Sequence, residues 1–182
     1  RAVGPGGRIL PAPPLMHGTG LLTAMGAMLA GGCVITLESK NLDPAEVLAA
    51  IDKHRPSTLV VVGDSFGRPI LNELNANPGK YDCSSIMVVV SSGVMWSVEV
   101  KRGLLEHMPQ ATLNDGFSSS EAIGMGASVM TKDGEVQTAK FMLGDRCRVF
   151  DEFDQPVAPG SGKQGIVALG LNGGAYAIEI IR

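Results

Sequence analysis

The sequence contains few aromatic residues, cysteines and histidines. Only 4% of its 182 residues are aromatic, and it has three cysteines and three histidines. None of Cys33, Cys83 and Cys147 belongs to a CxxC pair, and this spacing argues against a zinc site. An odd number of widely spaced cysteines is typical of free thiols, because disulfides persist mainly in oxidising compartments. We therefore expect a cytoplasmic protein.

Basic runs and uninterrupted apolar segments of membrane-spanning length are also missing. The formal net charge is −3 and no basic stripe carries interleaved aromatic residues, which argues against nucleic acid as the main partner. The longest apolar stretch, residues 21–37, is interrupted by Gly26 and by the pair Gly31 and Gly32. It predicts a buried helix, a turn and a strand, and no transmembrane segment. No secretory signal is expected at the start of the chain.

Short apolar runs alternate along the chain with helical patterns. Hydrophobic residues make up 45% of the sequence and charged residues 18%, as expected for a folded domain. Four runs predict strands, at residues 33–38, 58–62, 85–90 and 111–114. Since strands and helices alternate at intervals of roughly 25 residues, right-handed crossovers and a mainly parallel sheet are expected. The predicted fold class is therefore α/β, with helices flanking a mainly parallel sheet.

Four helices are predicted around these strands. The stretch 18–30 is almost entirely apolar and predicts a buried helix. The next helix opens with Asp43 as its N-cap and Glu46 as a capping-box acid. A short helix is expected to begin at Pro69 and a longer one at Ser97. In the second and fourth helices, the residues predicted to point inward are Val47, Leu48, Ile51, Val100, Leu104, Leu105 and Met108.

The pattern changes after Val129. Turn signals at residues 132–134 and 152–156 separate short, partly alternating segments, which predicts antiparallel β hairpins after the α/β part. The whole chain, 1–182, is expected to be a single fragment with three parts: the α/β part 8–129, the hairpin part 130–172, and a tail 173–182 that the pattern does not explain.

The segment PGSGKQG, residues 159–165, has some features of a phosphate-binding loop. The Walker pattern requires a glycine where this chain has Val157 and a serine or threonine where it has Gln164. The flanking residues are strand-like and supply no helix N-terminus for a phosphate. The segment therefore predicts a hairpin turn.

Two loops leave predicted strand ends, at residues 91–97 and 115–121, and ligands bind beyond such ends in parallel sheets. The second loop, DGFSSSE, has three interpretations. A serine nucleophile is the least favoured, because the second glycine of G-x-S-x-G is missing and a base such as His17 would be needed. Small hydroxyl residues followed by an acid suit a phosphate cradle that holds Mg²⁺. They also suit a polar turn that caps a helix near Ala122.

The three histidines carry little signal by themselves. His17 lies between a proline-rich segment and the apolar helix, where a histidine is more often a cap or a core residue than a ligand. His54 and His107 lie near predicted helix ends, where cations are favoured, and need no further role.

Several stretches together resemble the adenylate-forming superfamily, which includes the acyl-CoA synthetases. The segment DGFSSSEAIG resembles the superfamily's aromatic–glycine–x–threonine–glutamate motif, and PLMHGTG resembles its proline–aromatic–histidine segment. A further likeness to fatty-acid-CoA ligases of actinobacterial type lies in VGDSFGRPIL. The similar stretches, in chain order, are residues 14–20, 62–71, 91–109, 115–124 and 144–170.

The resemblance implies that the serine-rich loop is an adenylate cradle. Phe117 takes the place of the aromatic residue that stacks on adenine, and Gly116 lies along the same base. Ser120 takes the place of the threonine that contacts phosphate, and Glu121 that of the glutamate that binds Mg²⁺. Ser120 and Glu121 are therefore the expected catalytic residues of this loop.

The resemblance also implies contacts outside that motif. Gly93 would lie along the adenine. His17, the third expected catalytic residue, would border the acyl pocket near the carboxylate to be activated. Ser118 and Ser119 complete the expected nucleotide-binding residues. Ser118 departs from the family's usual glycine and adds a β-carbon where the ligand approaches closely.

The implied function is that of an ATP-dependent acyl-CoA synthetase acting on a fatty or steroid-type carboxylic acid. Its expected partners are the carboxylic acid, ATP, Mg²⁺ and CoA, whereas the oligomeric state does not follow from the sequence. Two alternatives are an acyl-adenylate ligase that delivers to a carrier protein and a non-catalytic nucleotide-binding scaffold. The family's lysine-bearing phosphate loop and its C-terminal domain have no match here. We therefore expect a central fragment of the N-terminal domain that is inactive alone.

Overall fold

The computed structural model describes residues 7–118, 123–134, 140–170 and 176–178. The chain divides into two compact units. The larger unit comprises Arg1–Asp115 and Ser128–Lys140, and the smaller unit comprises Gly116–Ala127 and Phe141–Arg182.

A mainly parallel sheet with helices forms the larger unit. Its described helices are α1 (Gly18–Leu29), α2 (Pro44–His54), α3 (Gly63–Ala76) and α4 (Val98–His107). Its strands are β1 (Arg8–Pro11), β2 (Cys33–Val34), β3 (Thr58–Val61), β4 (Val88–Ser92), most of β5 (Thr112–Phe117) and the end of β6 (Gly126–Met130). The strand order is β2-β1-β3-β4-β5-β6, and β1 pairs in parallel with β2 and β3, as does β3 with β4. The prediction of a mainly parallel α/β sheet is confirmed.

The smaller unit consists of antiparallel strands. β7 (Met142–Leu143) pairs with the first two residues of β6, Gly126 and Ala127. β8 (Cys147–Phe150), β9 (Ile166–Gly170) and β10 (Tyr176–Ile178) pair antiparallel in the order β10-β9-β8. The predicted hairpins are confirmed, and PGSGKQG lies in the connection between the antiparallel strands β8 and β9.

The core of the larger unit follows the predicted apolar faces. Leu59, Val60 and Val61 of β3 are fully buried, as expected for a strand covered on both faces. The side chains predicted to point inward from α2 and α4 are also buried, namely Val47, Leu48, Ile51, Val100, Leu104, Leu105 and Met108. Burial of each such side chain stabilises the folded state by about 1.5–3 kcal/mol relative to leaving it exposed.

Helix α2 begins as predicted but uses its acid differently. The Asp43 carboxylate accepts hydrogen bonds from the backbone N–H groups of Ala45 at 3.0 Å and Glu46 at 3.3 Å. Instead of closing a capping box, Glu46 Oε1 accepts a hydrogen bond from the backbone N–H of Glu38 at 2.6 Å. The acid therefore fixes the segment that precedes the helix.

The prediction that 18–30 forms a buried helix is wrong about burial. Only Gly20 and Ala24 of α1 are buried, whereas large apolar side chains on the same helix are exposed, among them Leu21, Leu22, Met25, Met28 and Leu29. A β-carbon on Gly20 would lie 2.9 Å from the carbonyl oxygen of Pro13, so the helix packs through its smallest residues. A helix that is apolar all round carries no periodic signal for the face that packs. No helix among the described residues is long and apolar enough to cross a membrane.

Helix α3 begins six residues earlier than the proline signal predicts. It starts at Gly63, and Pro69 lies inside it. Interior proline removes one backbone hydrogen bond, and this loss is tolerated because tertiary hydrogen bonds hold the first turn. These bonds join Asp64 to the segment before α4 and are described below.

Three strand boundaries also differ from the prediction. β2 is confined to Cys33–Val34, and β4 occupies Val88–Ser92, displaced toward the C-terminus. β5 runs on through Asp115 and Gly116 to Phe117. The Asn-Asp-Gly sequence indicates a turn, but the inward Asp115 is paired with a buried lysine, so the strand continues.

The cysteines provide a test of this packing. Cys33 is exposed and Cys83 is buried. Burial, with the nearby charges of Asp82 and Asp52, raises the pKa of the Cys83 thiol to about 11. At pH 8 we expect the native protein to be alkylated at Cys33 about 100-fold faster than at Cys83, because the thiolate is the nucleophile. Peptide mass spectrometry measures both rates.

Cys33→Ser is the matched control and should remove the fast phase of labelling. In denaturant, Cys83 should react as an ordinary thiol. Equal native labelling rates at Cys33 and Cys83 would contradict the buried position of Cys83.

Candidate functional site

Three loops follow the carboxyl ends of neighbouring parallel strands. His17 follows β1, Gly63 follows β3 and Gly93 follows β4, and these strands are adjacent in the order β1-β3-β4. The carboxyl ends of parallel strands lie at one edge of a sheet, which is where such folds bind ligands.

The loop between β4 and α4 lies directly against the first residue of α3. Gly63 has φ +47°, and a β-carbon there would lie 2.5 Å from the carbonyl oxygen of Met95 and 2.6 Å from that of Val94. Real side chains do not tolerate such distances to backbone atoms. Glycine is therefore required at this position by both the backbone angle and the close approach.

Hydrogen bonds hold the same loop near both of its ends. The backbone N–H of Gly63 donates to Ser91 Oγ at 2.9 Å, and Ser91 is fully buried. The backbone N–H of Asp64 donates to the carbonyl oxygen of Met95 at 3.2 Å. Asp64 Oδ1 accepts a hydrogen bond from the backbone N–H of Ser97 at 2.8 Å, where α4 begins.

Asp64 is also part of a small charged network. Its Oδ2 lies 2.9 Å from Arg68 Nη2, while Arg68 Nη1 lies 3.2 Å from Glu99 Oε1. Partial burial acts to raise the pKa of the Asp64 carboxyl, but hydrogen bonds from Ser97 and the charge of Arg68 outweigh it. The net result is a lowered pKa.

Gly93 and His17, two predicted site residues, are brought together. Gly93 has φ +88°, and a β-carbon on it would lie 3.7 Å from His17 Cε1 and 3.9 Å from Thr19 Oγ1. His17 is exposed and caps α1, because its Nδ1 accepts a hydrogen bond from the backbone N–H of Thr19 at 3.3 Å. The cap interpretation is thus confirmed, and a role toward substrate stays a prediction.

A buried ion pair includes Asp115, the first residue of the predicted nucleotide loop. Lys101 Nζ lies 2.9 Å from Asp115 Oδ2, and the two side chains are 1% and 8% exposed. The same ammonium lies 5.3 Å from the ring centroid of Trp96, which is fully buried. Sequence reasoning missed this group, although Lys101 falls on the inward face of α4 beside Leu104 and Leu105.

In the smaller unit, Gly116 and Phe117 are the last residues of β5. The Phe117 ring is half-buried, with its centroid 5.4 Å from that of Phe141. Ser118 Oγ accepts a hydrogen bond from the backbone N–H of Gly124 at 2.8 Å. The predicted site residues Ser119, Ser120 and Glu121 lie outside the described residues.

The described residues contain no group of three or more histidine, cysteine, aspartate or glutamate side chains that could hold a metal ion. Mg²⁺ usually keeps several waters and takes only one or two carboxylates together with substrate phosphates. A single carboxylate would therefore be compatible with a magnesium nucleotide.

Comparisons with a family model and with curated proteins agree on one protein family. Residues 1–170 match the family described as AMP-binding enzyme. The medium/long-chain-fatty-acid–CoA/3-oxocholest-4-en-26-oate–CoA ligase of Mycolicibacterium smegmatis is 33% identical over 163 residues, covering 87% of this chain and 29% of that protein. The 3-oxocholest-4-en-26-oate–CoA ligase of Rhodococcus rhodochrous is 31% identical over 166 residues, covering 87% of this chain and 29% of that protein. The chain thus spans about three tenths of the length of these curated relatives.

Solved structures agree on the fold. The luciferase-like enzyme from the nonluminescent Zophobas morio mealworm superposes with a TM-score of 0.72 at 19% identity, covering 92% of this chain and 39% of that chain. At this identity the likeness concerns the fold alone.

Replacement of Gly63 tests the close approach of the loop. Gly79 is a matched control, because it also has positive φ, +75°, but has open space around it. Gly79→Ala should lower the free energy of unfolding by about 1–2 kcal/mol, the usual cost of this backbone conformation. Gly63→Ala should cost about 3 kcal/mol or more, because the methyl group also meets two carbonyl oxygens. Urea unfolding measures both, and equal losses would contradict the close approach.

The Asp64 carboxyl predicts a pH dependence of stability. Its pKa is lower in the folded state than in the unfolded chain, where it is about 3.9. The stabilisation is therefore complete well above pH 4 and is lost as the pH falls through the folded value. Asp64→Asn should be less stable than wild type at pH 7, with the difference shrinking below about pH 4.

Unfolding by urea at several pH values measures this difference. Glu99→Gln is the control. Its exposed carboxylate contacts the same arginine, so this replacement should change the free energy of unfolding much less. A difference between Asp64→Asn and wild type that does not change with pH would contradict the assignment.

Proposed function

The chain belongs to the AMP-binding enzyme family, and we propose from this that it is part of an ATP-dependent acid–thiol ligase. The proposed enzyme activates a carboxylic acid as an acyl-adenylate and transfers the acyl group to CoA. Its substrate class is a fatty or steroid-type acid, in keeping with the names of its relatives. Because the chain covers only about three tenths of the length of those relatives, we propose that it is one part of such an enzyme.

One observation carries the proposal, namely the pairing of His17 with Gly93 at the carboxyl ends of β1 and β4. Gly93 is exposed and has no side chain, and an exposed imidazole and a threonine hydroxyl lie close beside it. We propose that a flat ligand lies against the solvent-exposed side of the Gly93 backbone and that a carboxylate approaches the imidazole. Loops built on a rigid sheet edge favour such positioning.

The reaction proceeds in two displacements. A carboxylate oxygen of the acid attacks the α-phosphorus of ATP, and pyrophosphate leaves with the electrons of the broken P–O bond. The CoA thiolate then attacks the acyl carbon, and AMP leaves. Both steps require neutralised phosphate charge and an in-line approach, which fixed donors and positioned reactants supply.

The proposed roles follow the family motif. Phe117 stacks on adenine with Gly93 and Gly116 along the base. Ser118, Ser119 and Ser120 line the phosphate, and Ser120 supplies the hydroxyl. Glu121 is the proposed ligand of Mg²⁺, which when bound neutralises phosphate charge. His17 borders the carboxylate.

The exposed apolar face of α1 supports the proposal that the substrate carries an apolar acyl chain. It begins one turn after His17 and includes Leu21, Met25 and Met28. Methionine side chains are flexible and polarizable, so they adapt to varied apolar partners. We propose that this face forms part of the wall of the acyl pocket.

Completeness and location stay predictions. Because the curated relatives extend well beyond the matched region, we expect the chain alone to form no acyl-CoA. In a longer protein that contains this chain, CoA should accept the acyl group. Acylation of a pantetheinylated carrier protein instead would favour the alternative ligase. A cytoplasmic location is proposed from the unpaired cysteines.

Calorimetric titration of the chain with AMP and Mg²⁺ tests the nucleotide site. We expect weak, saturable binding that Phe117→Ala weakens about 10-fold or more, since base–aromatic stacking contributes about 1–3 kcal/mol. Glu121→Gln should remove the Mg²⁺ dependence. Phe153→Ala and Glu152→Gln are the controls, because both are exposed residues of the same unit. The absence of saturable binding, or equal loss in the controls, would contradict the proposed cradle.

A further inference from the structure

Lys101 and Asp115 are the buried charged residues in the described part of the chain, and their side chains are 1% and 8% exposed. Removing two charges from water is costly, and replacing a buried ion pair by apolar groups of similar size is often neutral or stabilising. A contribution to stability therefore does not by itself explain why a buried ion pair occupies this position. The position of the pair in the fold offers a different explanation.

The pair connects the ends of two loops. Asp115 directly precedes Gly116 and Phe117 in β5. Lys101 Nζ lies 2.9 Å from the Asp115 carboxylate and 5.3 Å from the ring centroid of Trp96, the single tryptophan of the chain. Trp96 in turn stands at the end of the loop that contains Gly93. One ammonium thus contacts a residue near the end of β5 and a residue of the loop after β4.

Trp96 depends on this contact more than on hydrogen bonding. Its ring is fully buried, and its Nε1 has no hydrogen-bond partner among the described residues. A cation over the indole face is attracted by the ring electrons, and this attraction is stronger when the pair is desolvated. The ring packs beside Gly67, where a β-carbon would lie 3.1 Å from Nε1. Packing and the ammonium therefore fix the ring together.

We propose that Lys101 is a positioning residue: its ammonium holds Asp115 and Trp96 in place, and so fixes the ends of both loops assigned to the nucleotide. The inference rests on the proposed function for the identity of the ligand. The fixing of the loops is a property of the fold and is measured independently.

The chemistry of the pair supports a fixed arrangement. Burial raises the pKa of the Asp115 carboxyl, while the hydrogen bond and charge of Lys101 act in the opposite direction. The carboxylate therefore depends on this one ammonium for its charge. Removing either partner leaves the other without compensation, and buried unpaired charge is strongly unfavourable.

A double replacement separates positioning from stability. Lys101→Met and Asp115→Val should each lower the urea midpoint, because each leaves one buried charge. Lys101→Met combined with Asp115→Val removes both charges and should restore most of the midpoint. Lys132→Met with Glu106→Gln is the control, since that ion pair is exposed and 3.9 Å long.

Two further readouts judge the positioning role in the double variant. Hydrogen–deuterium exchange in peptides covering 92–97 and 116–118 should be about 10-fold faster than in wild type, with α2 and β3 unchanged. AMP affinity with Mg²⁺ should fall about 10-fold. The exposed-pair control should match wild type in both.

The outcomes are distinct. A double variant with wild-type exchange in both loops overturns the proposal, and so does faster exchange with unchanged AMP affinity. If wild type itself binds no AMP, the proposed nucleotide site fails, and the exchange data alone decide: faster exchange in both loops supports the positioning role, and unchanged exchange overturns it.

Discussion

A buried carboxylate in β5 sets the course of the chain just before the proposed nucleotide loop. Asp115 points inward, and this is tolerated because Lys101 from α4 meets it at 2.9 Å. The strand therefore continues where its sequence indicates a turn, and Gly116 and Phe117 belong to the sheet. The same ammonium faces Trp96, which lies at the end of the loop after β4.

The second constraint is a contact between backbones. Gly63 lets two carbonyl groups of the loop after β4 approach within a distance that excludes any side chain. Ser91 and Asp64 then hold the loop by hydrogen bonds. Gly93 is thereby presented beside His17 on a loop with fixed ends. Functional sites are most effective when rigid elements position them in this way.

The errors made from the sequence share a physical origin. Local signals ended a strand at Asn114 and placed a loop from Asp115, a helix start at Pro69 and a buried helix over 18–30. Each was overridden by a tertiary contact: an ion pair with Lys101, hydrogen bonds to Asp64, and close packing through Gly20. Elements with strong periodicity were predicted well, because one buried face is enough to define them.

The sequence alone determined the parallel α/β sheet, the hairpins after it, and the family to which the motifs belong, since these depend on periodicity and on the order of short motifs. It also predicted Gly93 and His17 individually as site residues. Only the tertiary structure decided that they are neighbours, that Gly63 admits the loop, and that Lys101 is buried against Asp115 and Trp96. Such contacts join residues far apart in the chain, and their energies depend on burial and distance, which no local pattern specifies.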